Sequence, residues 1–169
     1  MQLNATKGVK TVYFVRHAKS CWNNNLQDFD RPIKKRGVKD AHLVSKHLES
    51  KNIKPELILC SSAKRTRLTA EIFIENLELD VVKIEFMKAL YDFSGEGLLN
   101  VLKSCDNSID KVLVFGHNYA LTNLANQLGS VAITNVTTSG FVQIDFNIDR
   151  WENLKKGETK LIVFPKHLR

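Results

Sequence analysis

The stretch "VYFVRHAKSCWN", Val12–Asn23, runs through four apolar or aromatic residues and then turns polar at Arg16 and His17. A short run of β-branched and aromatic residues reads as a buried strand. Its end admits two readings. Arg16 and His17 are either the polar end of an ordinary strand, or the residues the strand exists to aim at something negatively charged.

Working outward, the same kind of apolar run recurs at 57–60 (LILC), 81–85 (VVKIE), 111–115 (KVLVF), 140–146 (GFVQIDF) and 159–164 (TKLIVF), giving six strands with 10–15. Segments of helical periodicity lie between them, at about 37–51, 63–77, 95–105 and 118–128. Alternation of this kind is the mark of an α/β layer fold. The last two strands are joined by "NIDRWENLKKGE", too short for a crossover helix, so they are expected to pair antiparallel and the sheet to be mixed. Between the first strand and the first helix, "HAKSCWNNNLQDFDRPIKKRGV" is a long polar loop, and loops of that length in a compact domain are more often functional than idle.

The chain has 169 residues, suited to one domain over 1–169 with a core of useful size. Hydrophobic residues make up 43% and charged residues 25%, which fits a globular protein rather than a disordered or fibrous one. The N-terminus lacks a signal-peptide pattern and no apolar run is long enough to span a bilayer, so a cytoplasmic protein without a membrane partner is expected. Cys21, Cys60 and Cys105 are odd in number and without CxxC spacing, which argues against a disulfide framework or a zinc site. The basic charge is uneven: residues 1–70 carry 15 Lys or Arg against 5 Asp or Glu, and residues 71–169 carry 10 against 13. An anionic partner near the first part is favoured, although a solvated basic surface explains the charge equally well.

Three strands end alike. Arg16 and His17 follow "VYFV"; Ser61, Ser62 and Arg65 follow "LILC"; Gly116 and His117 follow "VLVF". In open α/β sheets ligands bind beyond the carboxyl ends of strands, so these segments can converge on one crevice. Two arginines and two histidines suit phosphoryl transfer, because guanidinium matches phosphate oxygens and a neutral imidazole is a competent nucleophile. Nearby guanidinium groups should keep His17 neutral. His117 precedes a helix, whose N-terminal amides favour anions. His42 and His47 are five apart and share no helix face as a metal pair would, and are read as structural or exposed.

"RHAKSCWN" resembles the RHG-type signature of the histidine phosphatase superfamily, the relatives of phosphoglycerate mutase. "SSAKRTRLTAE" is similar to its second arginine segment and "VFGHN" to its second histidine segment, in the same order along nearly the whole chain. The compact length and "DFDRPIKKRG" look most like the SixA-type phosphohistidine phosphatase branch, whose usual glycine after the nucleophile is Ala18 here. The resemblance implies a three-layer α/β/α sandwich around a six-stranded mixed, mostly parallel sheet. It implies His17 as a transiently phosphorylated nucleophile, with Arg16, Arg65 and His117 around the phosphoryl group and Asn23 helping to bind phosphate. The family's usual glutamate acid aligns with "ALYDFSGEGLL", where Asp92 is the nearest match and Glu96 the next; both also read as acids at a helix N-terminus.

The implied enzyme is a metal-independent phosphatase needing no cofactor. It would act on a phosphorylated protein, such as a histidine phosphotransfer protein, or on a small phosphorylated metabolite. A missing acid favours phosphohistidine, because imidazole leaves far more easily than an alkoxide. A small-molecule phosphomonoesterase and a non-catalytic phosphoprotein-binding module are the alternatives. A cysteine phosphatase fails on spacing, since the sixth place after Cys60 is Thr66 and not arginine. A mutase lacks room for insertions over a sugar phosphate, and no nucleic-acid signature accompanies the basic charge. The cluster Arg31, Lys34, Lys35 and Arg36 reads as solvated, with Arg31 and Arg36 alternatively a dock for an acidic partner.

Overall fold

The computed structural model describes residues 8–22 and 25–169. Among these the strands are β1 (Val9–Arg16), β2 (Leu57–Ser61), β3 (Lys83–Met87), β4 (Lys111–Gly116), β5 (Phe141–Asn147) and β6 (Glu158–Val163). The helices are α1 (Lys35–His47), α2 (Lys64–Asn76), α3 (Glu96–Lys103) and α4 (Ala120–Leu128). One sheet runs β3-β2-β4-β1-β5-β6. β3, β2, β4 and β1 pair in parallel, while β5 is antiparallel to both β1 and β6. The expected mixed, mostly parallel sheet and the antiparallel final pair are therefore present.

Alternation along the central strands divides the core into two layers. Val12 and Phe14 of β1, Leu57 and Leu59 of β2, and Val112 and Val114 of β4 face α3 and α4, where Leu98, Leu102, Leu121 and Leu124 complete one cluster. Tyr13 and Val15, Ile58 and Cys60, and Leu113 and Phe115 face α1 and α2, packing on Ala41, Val44, Ala70 and Phe73. Strands buried on both faces explain why these runs read as continuously apolar. Each fully buried side chain such as Phe14 contributes about 1.5–3 kcal/mol through the hydrophobic effect.

The third strand begins two residues later than its apolar pattern predicts. Val81 is 89% exposed, and the amide of Val82 closes a turn onto the Leu79 carbonyl, so the Val81–Val82 pair belongs to the turn that enters an edge strand. Among the described residues no helix is long and apolar enough to cross a membrane.

The order β2-β4-β1 brings three strand ends side by side. Arg16 pairs in register with Gly116, and the His17 amide donates to the Gly116 carbonyl at 3.0 Å. The loop after β1 folds back on α1: the Lys34 amide donates to the Lys19 carbonyl and the Cys21 amide to that of Pro32. A side chain at Gly37 would meet the Lys19 carbonyl oxygen at 2.4 Å, which is why the first turn of α1 carries a glycine. The long polar loop is thereby bound to the helix it precedes.

Candidate active site

His17 directly follows β1 with its ring in the interior. Its Nδ1 lies 2.8 Å from the Ala18 carbonyl. A carbonyl only accepts, so Nδ1 carries the proton and Nε2 keeps its lone pair. Burial holds His17 well below the usual imidazole range, with the nearby His117, Arg65 and Arg16 adding to the effect of desolvation. The His17 imidazole is thus neutral, as its arginine neighbours suggest from sequence, but burial is the larger cause. The backbone here is fastened to α2, because the Ala18 amide donates to Thr69 Oγ1 at 2.8 Å and that hydroxyl donates to the Arg65 carbonyl at 2.7 Å.

His117 is fixed in the complementary way. Its Nε2 is 2.8 Å from Ser61 Oγ, and the same hydroxyl oxygen accepts from the Ala63 amide at 3.3 Å. Among the described residues the Ser61 hydroxyl proton has no acceptor other than Nε2, so the hydroxyl is assigned as donor to Nε2 and the His117 proton to Nδ1. Burial and the charge of Arg65 push His117 down to about 3, so it is a neutral donor. The two imidazoles face each other with ring centroids 5.3 Å apart, and Tyr91 and Phe93 each pack on His117 at 5.3 Å.

Both arginines are anchored by terminal nitrogens. Arg16 donates from one to the Val136 carbonyl at 2.9 Å. Arg65, only 2% exposed, donates to the Asp28 carbonyl at 2.6 Å and to the Asp28 carboxylate at 3.0 Å. The loop that holds Arg16 is tied to α4, since Thr122 Oγ1 accepts from the Val136 amide and Asn126 bonds both the amide and the carbonyl of Ile133.

Among the described residues, the buried side-chain polar atoms without a hydrogen-bond partner are Arg16 Nε, Arg65 Nε, His117 Nδ1, Thr137 Oγ1 and Ser139 Oγ. All five belong to the ends of β1 and β4, to the first turn of α2, or to the loop that donates from the Ser139 amide to the Arg16 and His17 carbonyls. Unpaired buried donors are costly and rare. A buried cation elsewhere is treated quite differently: Lys10 donates to the Asn107 and Ile109 carbonyls and to Asp110. Three orphaned donors beside an imidazole with a free lone pair form an arrangement able to hold a tetrahedral anion. It opens into a cleft of about 940 Å³ edged by the exposed side chains of Trp22, Phe93 and Tyr119.

Arg16, His17, Arg65 and His117 are thus brought together, while Asn23 lies outside the described residues. Asp92, the nearest match for the acid, is engaged locally: its carboxylate accepts from the amides of Ser94, Gly95 and Leu98 and from the Ser94 hydroxyl, so it caps the N-terminus of α3. Local amide donors outcompete the cleft for this carboxylate. Glu96 is an exposed acid in the first turn of the same helix. Arg31 is also not simply solvated: it is 5% exposed, donates to Ser20, to the Cys21 carbonyl and to Asp28, and stacks 3.7 Å from the Trp22 ring centroid. Cys60 is buried, with its thiol pushed up to about 12, far from thiolate chemistry. His42 bonds Asn76 and so joins α1 to α2.

Four residues at the site were not singled out by sequence reasoning for these roles: Asp28, Ser61, Thr69 and Tyr91. Ser61 directly follows an apolar strand, and Asp28 is an acid within a basic loop; those are the signals each carries.

Residues 12–95 match the family model of the histidine phosphatase superfamily (branch 1). An uncharacterized chloroplastic protein of Arabidopsis thaliana is 30% identical over 137 residues, covering 73% of this chain and 61% of that relative's length. The structure of the protein histidine phosphatase SixA complexed with tungstate superposes with a TM-score of 0.75 at 20% identity, covering 94% of this chain and 99% of that one. A phosphoglycerate mutase from Bacillus anthracis superposes with a TM-score of 0.68 at 18% identity, covering 96% of each chain.

Proposed function

This chain belongs to the histidine phosphatase superfamily, and from that premise we propose that it hydrolyses phosphoryl groups through a phosphohistidine intermediate on His17, with protein phosphohistidine as its substrate. The observation that carries the reading is the convergence of the free Nε2 lone pair of His17 with the unpaired Nε atoms of Arg16 and Arg65 and Nδ1 of His117.

In the first step Nε2 of His17 attacks phosphorus. A new N–P bond forms, and the bond from phosphorus to the leaving group breaks with its electron pair going to that group. Arg16, Arg65 and the neutral Nδ1–H of His117 take the charge of the transferring oxygens, so positioning and electrostatic stabilisation supply most of the rate. In the second step a water oxygen attacks phosphorus, the N–P bond returns its electrons to Nε2, and the water proton passes to solvent.

The leaving group sets the substrate class. Among the described residues lining the cleft Asp28 is the one carboxylate. Burial acts to raise its affinity for a proton, but hydrogen bonds from Tyr91, Arg31 and Arg65 outweigh this and hold it well below the usual carboxylate range. Asp92 is committed to α3. An alkoxide therefore finds no protonated carboxyl there, whereas an imidazole leaves as a far weaker base. This favours a P–N bond over a P–O bond, and a protein substrate is favoured by the open rim of exposed aromatic side chains.

The test is turnover of phosphoramidate and p-nitrophenyl phosphate in excess EDTA, for wild type and His17→Ala. The expected result is turnover by wild type, faster with phosphoramidate, unaffected by EDTA and lost in the variant. Activity surviving in His17→Ala excludes His17 as the nucleophile. If wild type binds phosphate without turning over either compound or a phosphohistidine protein, the chain is a binding module.

A further inference from the structure

The loop residue Asp28 presents an apparent contradiction. It is an anion in a cleft built for anions, and it sits directly on Arg65, one of the two guanidinium groups available to phosphate. Its backbone carbonyl takes one terminal nitrogen of Arg65 at 2.6 Å and its carboxylate Oδ2 takes the other at 3.0 Å. Two roles are open to such a residue: it competes with substrate for Arg65, or it sets the direction in which Arg65 points.

The unpaired atom decides between them. Arg65 carries five N–H donors, and Asp28 engages one from each terminal nitrogen. Nε has no partner although it is buried. The outer end of the fork is therefore fixed to the loop, and the inner edge, with Nε and the remaining terminal hydrogens, is left for a ligand. Arg16 is arranged in the same manner, with a terminal nitrogen on the Val136 carbonyl and a buried, unpaired Nε. A competitor for Arg65 would have no reason to leave the inner edge open.

Asp28 is itself held from two further sides. Its Oδ1 accepts from Nε and a terminal nitrogen of Arg31, at 3.2 and 2.9 Å. Its Oδ2 also accepts from the Tyr91 hydroxyl. Arg31 is anchored to Ser20 and to Trp22, close in sequence to the nucleophile, and Tyr91 packs against the ring of His117. Asp28 thus joins three of the segments that form the site.

We propose that Asp28 is a positioning residue for phosphoryl transfer: it orients the Arg65 guanidinium edge-on to the phosphoryl group, and Tyr91 and Arg31 hold its carboxylate in that task. The proposal rests on the phosphatase reading above for its kinetic consequence, but not for its binding consequence. Preorganised donors lower the barrier because they need no reorientation as charge develops.

The full-length chain is tested as Asp28→Ala, Asp28→Asn and Tyr91→Phe, with Asp30→Ala as a control that removes the same charge from an exposed position in the same turn. In calorimetric titration with inorganic phosphate, Asp28→Ala is expected to weaken binding roughly tenfold even though a negative charge has left the cleft. Asp28→Asn, which keeps an acceptor, and Tyr91→Phe should fall between it and wild type, and Asp30→Ala should match wild type. Tighter or unchanged binding by Asp28→Ala overturns the proposal, because removal of a competitor has that sign. With phosphoramidate, kcat/KM of Asp28→Ala is expected to drop by about 10²-fold, mostly in kcat. In an Arg65→Lys background the same substitution should have little further effect, as residues acting as one unit are not additive. An equal loss in both backgrounds overturns the proposal. If Asp28→Ala does not fold, the Asn and Phe variants carry the same comparison. Full turnover in His17→Ala with weakened phosphate binding in Asp28→Ala sinks the nucleophile and leaves the positioning role standing; a wild type that binds no phosphate sinks both.

Discussion

Ser61 Oγ accepts from the Ala63 amide and pairs with His117 Nε2, and through that pair a single hydroxyl fixes which nitrogen of His117 carries the proton. Removing it in Ser61→Ala leaves the imidazole free to exchange tautomers. The expected loss in kcat is roughly 10- to 100-fold, by analogy with the loss of a partner that orients a metal-bound histidine. KM should change less, and a kcat equal to wild type contradicts the role. A second prediction concerns the two histidines themselves. Burial lowers both, His17 well below its ordinary value and His117 to about 3. In a histidine NMR titration of the folded chain, neither ring should take up its proton near pH 6.5. The acid limb of kcat/KM for phosphoramidate should accordingly not reflect an ordinary imidazole.

Local elements decide how firmly these side chains are held. Asp92 satisfies three backbone amides ahead of or within the first turn of α3. Asp92→Ala should destabilise the chain by about 1 kcal/mol, the usual cost of a lost cap, seen as a lower Tm. Turnover of phosphoramidate should stay close to wild type. A large fall in kcat without a change in Tm restores Asp92 as the acid. At the other end of the cleft, Gly37 lets the first turn of α1 approach the backbone of Lys19 more closely than any Cβ permits. Gly37→Ala must displace the segment two residues beyond His17. It should cost about 1–3 kcal/mol, typical of overpacking, and reduce kcat as well as Tm.

At the scale of the whole molecule, the buried site makes stability depend on pH. His17 and His117 are neutral when folded and titrate normally near 6.5 when unfolded. Between about pH 6.5 and 3 the unfolded chain binds more protons, so unfolding free energy is greatest above 6.5 and falls as pH drops through that window. Each group contributes at most about 1.4 kcal/mol per unit of separation. Urea denaturation at pH 7 and pH 4.5 should show a lower midpoint at the acid pH, and His117→Gln should reduce the difference. Asp28, held ionised, loses its contribution in the same direction at still lower pH.

Much of this architecture is written in the order of residues. Six apolar runs, four helical segments and the polar residues that follow three strands are local patterns, set by periods of two and about 3.6 and by the residues that end each run. Arg16, His17, Arg65 and His117 are legible because each sits just past such an end, and parallel neighbours place those ends together. The role of a carboxylate is not local in this way. Asp92 and Asp28 are both acids in loops, and both lie near the site in space. Asp92 turns to the amides of its own helix, while Asp28 reaches Arg65 and Tyr91, 37 and 63 residues away. Periodicity carries no information about which donors a loop acid will meet, because that depends on how β2 and α2 pack against the loop after β1. The tertiary structure alone made one a cap and the other a partner of the arginine, since a buried or half-buried charge takes the nearest set of donors that satisfies it.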